Sequence, residues 1–113
     1  MAIKTQKGTK DVLPEENAQW KKILDSAYKI FRQANFKRIS TPIFEATELF
    51  QRGVGDSTDI VNKEMYSFDK NGHSLTLRPE NTAGVVRAFL EHTMQRDIQP
   101  VKLWYFGPMF RYE

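Results

Sequence analysis

The pair Asn71-Gly72 narrows the possible folds more than any other feature of this chain. It lies within Asp69-Lys70-Asn71-Gly72, between two short alternating runs, Met65-Tyr66-Ser67-Phe68 and Ser74-Leu75-Thr76-Leu77. Asn-Gly accepts the positive φ angles of a tight hairpin turn, whose twist matches that of paired strands. Strands joined so closely run antiparallel, because a parallel pair needs a crossover of a dozen or more residues. A regular alternation of strand and crossover helix is therefore excluded here, and the rest of the chain has to pack around an antiparallel element.

Hydrophobic spacing supplies the remaining elements. Trp20, Ile23, Leu24, Ala27, Tyr28 and Phe31 repeat with a helical period. Pro14-Glu15-Glu16 makes a good start, with proline in the first turn and carboxylates at the positive end of the dipole. The pattern predicts an amphipathic helix to about Ala34, with Asn35 as a left-handed cap. Phe36 to Phe44 is expected to be extended, with Pro42 at an edge, a bulge or a strand end. Glu45 to Arg52 reads as a short helical turn closed by Gly53-Val54-Gly55, and Asp56 to Lys63 as polar loop. Val85, Val86, Phe89, Leu90 and Thr93 mark another helix ending near Gln95 to Asp97, and Val101 to Phe106 a strand buried on both faces. The order of helix, strand, hairpin, helix and strand implies an α+β fold, a mainly antiparallel sheet flanked by helices.

The chain has 113 residues, enough for one domain with a single core. Its 17 basic and 14 acidic residues leave a net charge of +3, far from the dense basic patch of a dedicated nucleic-acid binder. The absence of cysteine excludes disulfides, zinc-thiolate sites and a cysteine nucleophile, and a cytoplasmic location fits best. No stretch approaches the roughly 20 apolar residues of a membrane span, and the first residues lack the apolar run of a signal peptide, so neither export nor insertion is expected.

Several groups carry charge or hydrogen-bonding capacity in a suggestive order. In an extended segment Arg111 and Glu113 point the same way, which suits a ligand bearing both a phosphate and a hydrogen-bonding base. Spacing alone favours the plainer reading, a cross-strand ion pair on a solvated face. Arg78-Pro79-Glu80-Asn81-Thr82 joins a strand to a helix N-terminus, where Glu80 and the Thr82 hydroxyl can hold an ammonium group and first-turn amides favour an anion. Plain capping by Asn81 or Thr82, with Glu80 favoured by the dipole, is the competing reading. Gly53-Val54-Gly55-Asp56-Ser57-Thr58-Asp59 lacks the lysine and preceding strand of a phosphate loop and reads as a surface loop. His73 and His92 have no second ligand at metal spacing and read as surface residues, and no metal site is expected. The run from Lys102 to Tyr112 can stack bases, although Val101 and Leu103 fit a core strand better.

Taken in order, these segments resemble the histidyl-tRNA synthetase family of class II aminoacyl-tRNA synthetases. Lys7-Gly8-Thr9-Lys10-Asp11-Val12-Leu13-Pro14 is similar to the family's opening, and Thr41-Pro42-Ile43-Phe44-Glu45 to its motif 1. Asp59 to Phe68 and Leu75 to Ala83 resemble its histidine-specific segments, and Leu103 to Glu113 the front half of motif 2. The resemblance covers essentially the whole chain. It implies activation of L-histidine by ATP and transfer to the histidine tRNA. In that chemistry the amino-acid carboxylate attacks the α-phosphorus and pyrophosphate leaves, so positioning and charge stabilisation dominate.

The same resemblance implies a role for each site residue. Arg111 contacts the α-phosphate and the histidine carboxylate, as the catalytic arginine. Glu113 lies on the adenine side. Glu80 and Thr82 hold the histidine α-amino group, with Asn81 between them, where some relatives carry glycine. Pro42 belongs to a homodimer interface. ATP is expected with Mg²⁺ as a substrate complex, without a tightly bound cofactor. On this reading residues 1–113 are the N-terminal part of the catalytic domain, with the return strand of motif 2, motif 3 and the anticodon-binding domain lying beyond it, and the 113-residue piece alone is expected to be inactive. Two alternatives stand beside it: the regulatory subunit of ATP phosphoribosyltransferase, a paralogue of the synthetase, and a dimerisation module without catalysis.

Overall fold

The computed structural model describes residues 2–54 and 64–112, which fall into two compact units, Met1–Lys37 and Arg38–Glu113. The first unit is an extended lead-in followed by helix α1 (Pro14–Gln33), with proline at its start and Glu15 and Glu16 in its first turn. Ala34 closes the helix, and Asn35 takes the left-handed conformation (φ 65°), as the sequence predicts. That turn lets the Phe36 amide donate to Phe31 O at 2.7 Å and brings the two rings to 5.7 Å.

The second unit is built on a three-stranded antiparallel sheet of order β2 (Phe44–Ala46), β4 (His73–Leu77), β3 (Ser67–Lys70). The hairpin is tighter than the alternation alone suggests. Asn71 and Gly72 form the whole turn (φ 52° and 83°), so Asp69 and Lys70 pair with Ser74 and His73 instead of looping out. His73 is thus a strand residue.

Register divides the sheet into two chemically different faces, because directly opposed residues share a side. Phe44, Leu77, Leu75 and Phe68 lie on one, where the Phe44 and Phe68 rings meet edge-on at 6.4 Å. Glu45, Thr76, Ser67 and Ser74 lie on the other. There Thr76 is completely buried (0% exposed) and donates to Thr47 Oγ1 at 2.8 Å. A hydroxyl has one proton, so the Ser67 hydroxyl, 2.7 Å away, must donate to Thr76. Thr47 and Ser74 extend the chain at 2.7 Å.

Helix α2 (Thr47–Val54) starts later than the spacing suggests: Glu45 and Ala46 are drawn into β2 by pairing with β4, and Gly53 lies within the helix. The remaining loop expected over 55–63 lies outside the described residues. Phe50 of α2 and Met65, 3% and 8% exposed, form a small core with Leu49 and Ala83. Helix α3 (Thr82–Glu91) ends before the expected Gln95 to Asp97. Thr93 turns left-handed (φ 51°), its hydroxyl donating to His92 O, and a short 3-10 turn follows at Met94–Arg96. His92 is the C-cap of α3.

The expected long buried strand is also corrected. Of Val101 to Phe106 only Leu103–Trp104 (β5) is strand and only Trp104 is buried. Its neighbour is equally short: Arg38, ending strand β1 (Lys37–Arg38), lies over the Trp104 ring at 5.4 Å, and the Ile39 amide donates to Trp104 O at 3.0 Å.

Replacing Thr76 by valine removes the proton that Thr47 accepts and the acceptor that Ser67 uses. Amide exchange in the β3–β4 hairpin of the full-length protein should show its opening free energy lowered by about 1–3 kcal/mol. Unchanged protection would mean the hydroxyl chain contributes no net stability.

Candidate functional site

The site is assembled where β4 runs out. Arg78, Pro79, Glu80 and Asn81 connect that strand directly to α3, and this brevity gives each side chain a distinct direction. Glu80 folds onto the start of the helix, accepting the Thr82 amide at 2.5 Å and the Ala83 amide at 3.3 Å. A carboxylate at the positive end of a helix satisfies otherwise orphaned donors and is favoured by the dipole. The first-turn amides expected to attract an external anion are thus engaged, at Thr82 and Ala83, by the chain's own carboxylate. The Thr82 hydroxyl stays exposed and lies 3.5 Å from the Tyr105 hydroxyl.

Asn81 holds the N-cap position without a side-chain cap bond, because its side chain is used elsewhere. It is buried, and its Oδ1 accepts from the Thr41 hydroxyl at 2.7 Å and from Arg78 at 3.5 Å. Arg78 is itself only 5% exposed. Its Nε donates to Pro108 O at 2.9 Å, and a terminal nitrogen donates to Thr41 O at 3.1 Å and to the Thr41 hydroxyl at 3.4 Å. Among the described residues no carboxylate pairs with it; the charge rests on carbonyl and hydroxyl oxygens. Glu45 pairs instead with Arg87 of α3 at 3.0 Å, and Arg87 continues to Glu91 at 2.8 Å.

Arg111 reaches this region through backbone pairing. The Phe110 amide donates to Arg78 O at 2.9 Å and the Tyr112 amide to Glu64 O at 2.8 Å, with the Tyr66 and Tyr112 rings edge-on at 6.0 Å. Arg111 stands between these two anchors with its side chain exposed, and no described residue holds its guanidinium. Arg78 to Thr82 and the segment around Arg111 are therefore hydrogen-bonded neighbours. Glu113, the other half of the pair, lies outside the described residues, as does the segment from Asp59 to Lys63. Pro42 is exposed, between β1 and β2. An open cleft of about 630 Å³ lies elsewhere, between α2 and the hairpin turn, with Thr47, Gln51, Lys70 and His73 in its wall and none of the site residues.

The profile described as Histidyl-tRNA synthetase matches residues 8–113. The chain belongs to the histidyl-tRNA synthetase family. A histidine--tRNA ligase of Halothermothrix orenii is 60% identical over 114 residues, a match covering 100% of this chain and 27% of the relative. The apo crystal structure of S. aureus histidyl-tRNA synthetase is 47% identical, with a TM-score of 0.84, over 98% of this chain and 26% of that one. A Bacillus halodurans structure described as an ATP phosphoribosyltransferase regulatory subunit/histidyl-tRNA synthetase is 27% identical, with a TM-score of 0.78, over 98% of this chain and 28% of that one. The chain thus spans about a quarter of the length of the relatives it matches. The α+β expectation holds for this family member, with its antiparallel sheet and flanking helices.

Sequence reasoning gives Thr41, Arg78, Gly84 and Gly107 no individual role, and names Tyr105 only within the run that can stack bases. Two of them carried a readable signal. Glycine inside an apolar helix is unfavourable and marks a close approach, and a β-carbon at Gly84 would lie 3.0 Å from Glu45 Oε2, 3.1 Å from Asn81 Oδ1 and 3.3 Å from Thr41 Oγ1. One at Gly107 would lie 2.5 Å from an Arg78 terminal nitrogen. Tyr105 was hidden by its apolar neighbours, although strand alternation puts it on the opposite side from buried Trp104.

Gly84→Ala should be destabilising despite alanine's helix preference of about 1 kcal/mol. Glu45 and Asn81 are both held by hydrogen bonds, so the methyl group overpacks the site at a cost of about 1–3 kcal/mol. Thermal unfolding of the full-length variant tests this, and a raised midpoint would show that these side chains yield freely.

Proposed function

We propose that this chain forms the amino-acid half, and part of the nucleotide half, of the adenylation site of a histidine--tRNA ligase. MgATP and L-histidine are its substrates, and the activated histidine passes to the histidine tRNA. The observation that carries the reading is the Phe110-to-Arg78 backbone bond, because it makes the Glu80–Thr82 turn and the Arg111 segment neighbours. Arg111, exposed and unclaimed by any described side chain, has the planar fork that suits a phosphoryl oxygen and a carboxylate together. Its role is to neutralise charge that builds on the α-phosphoryl oxygens as the histidine carboxylate attacks and pyrophosphate leaves. Glu80 keeps lone pairs beyond those used by the helix amides, and these accept from the histidine ammonium group alongside the Thr82 hydroxyl. Asn81 contributes to histidine binding through its hold on the turn. Glu113 is assigned to the adenine side by its place in motif 2.

The whole protein is proposed to be a cytoplasmic class II enzyme and a homodimer. Exposed Pro42, with Ile43 and Phe44 44% and 46% exposed beside it, supports an interface at motif 1. Residues 1–113 are the N-terminal part of the catalytic domain on this reading, with motif 3 and the anticodon-binding domain supplied by the remainder of a protein of the relatives' length. Identities of 60% and 47% with proteins named histidine--tRNA ligase and histidyl-tRNA synthetase, against 27% with a structure whose name includes the regulatory subunit, support the ligase over the paralogue.

Full-length protein should catalyse histidine-dependent exchange between pyrophosphate and ATP, and Arg111→Ala should slow it by about 10²- to 10³-fold. A well-folded protein without exchange would move the assignment to the regulatory paralogue. Glu80→Gln keeps an acceptor for the helix amides but removes the charge that faces the ammonium group. It should raise the KM for histidine by roughly tenfold or more, the cost of weakening a charge-assisted bond, while the melting temperature stays near wild type. A lowered melting temperature with unchanged KM would make Glu80 a helix cap alone.

A further inference from the structure

Arg78 belongs to none of the contacts just assigned, yet it is the most heavily committed side chain in the site. Its guanidinium bonds to Pro108 O, Thr41 O, Thr41 Oγ1 and Asn81 Oδ1, and its own carbonyl accepts the Phe110 amide. These partners come from three separated parts of the chain: the segment before β2, the β4–α3 connection and the Gly107-Pro108 segment after β5. That segment is tight against it, since a β-carbon at Gly107 would lie 2.5 Å from an Arg78 terminal nitrogen. That spacing excludes every side chain but hydrogen while the guanidinium stays in place.

We propose that Arg78 is a positioning residue that sets Arg111 relative to the Glu80–Thr82 turn, clasped by Thr41 on one side and Gly107-Pro108 on the other. The inference rests on reading the site as the histidine-activating one. The logic is geometric. Pro108 and Phe110, both bound to Arg78, leave only Met109 between them and lead directly into Arg111, while Asn81, the residue between Glu80 and Thr82, accepts from the same guanidinium. A planar fork supports such divergent bonds, whereas lysine has the charge but not the geometry. Arg78 touches neither substrate in this scheme; it acts through Arg111, whose contact strengthens in the transition state. Its loss should therefore lower kcat and kcat/KM together and leave the KM for histidine little changed.

The test is a double-mutant cycle on the full-length protein, reading histidine-dependent pyrophosphate exchange and hydrogen exchange at the Phe110 amide. Arg78→Lys and Gly107→Ala should each lower kcat by up to about 10²-fold, the scale of a displacement of roughly 1 Å in a catalytic group. Phe110 protection should fall in both. The double variant should be no slower than the worse single one, because the alanine methyl group has no guanidinium to displace. Multiplicative losses would overturn the clasp, as would an Arg78→Lys enzyme with wild-type kcat or a loss confined to the KM for histidine. If wild-type protein shows no exchange, the proposed function fails. The clasp is then decided by Phe110 protection, with non-additive losses supporting it and additive losses, or none, overturning it.

Discussion

The constraint on which the rest of the second unit depends is the cost of burying the Arg78 guanidinium. A cation at 5% exposure cannot give up water without replacing its hydrogen bonds. Here the replacements are backbone carbonyls, a hydroxyl and an amide oxygen, supplied by Thr41, Asn81 and Pro108. Each acceptor sits on a different stretch of chain, so satisfying one charge draws together segments that share no secondary structure. Every buried side-chain nitrogen or oxygen among the described residues has a partner, which is the condition under which such a polar centre specifies one arrangement instead of weakening it.

Two glycines make that convergence sterically possible. Gly84 lets α3 approach the oxygens of Glu45, Asn81 and Thr41, and Gly107 lets the segment leading to Pro108 pass close to the guanidinium. The Glu45–Arg87 pair, with Glu45 mostly buried, ties β2 to α3 from the far side of the same contact. Glu80 commits its carboxylate to structure, capping the helix amides at Thr82 and Ala83. Of the two readings of this turn, capping is the one the geometry shows; on the proposed function the remaining lone pairs accept from the ligand as well.

Much of this architecture could be read before any coordinates. Asn71-Gly72 forms the hairpin turn, Asn35 ends α1 in the left-handed region, and Pro14 with Glu15 and Glu16 begins it. These are local effects, decided by the φ preferences of a few side chains and by the helix dipole. The errors were where neighbours intervened. Glu45 and Ala46 became strand because β4 was there to pair with them, and Thr93 turned left-handed within an apolar helical pattern. Tyr105 and Phe106 followed an apolar run yet are 40% and 45% exposed, since composition does not say which faces find cover.

The order of residues alone determined the α+β class, the hairpin, the two ends of α1 and the resemblance that singled out Glu80, Asn81, Thr82 and Arg111, because turn chemistry, periodicity and motif order are properties of contiguous residues. It could not determine that Asn81 turns inward to Thr41, that Glu80 occupies its own helix amides, or that Arg78 is the hub joining Thr41 to Pro108. Those outcomes were decided by tertiary structure. A hydrogen bond between residues 30 or 40 positions apart leaves no periodic trace in the chain, and forms only once folding has brought a buried charge and its scattered acceptors together.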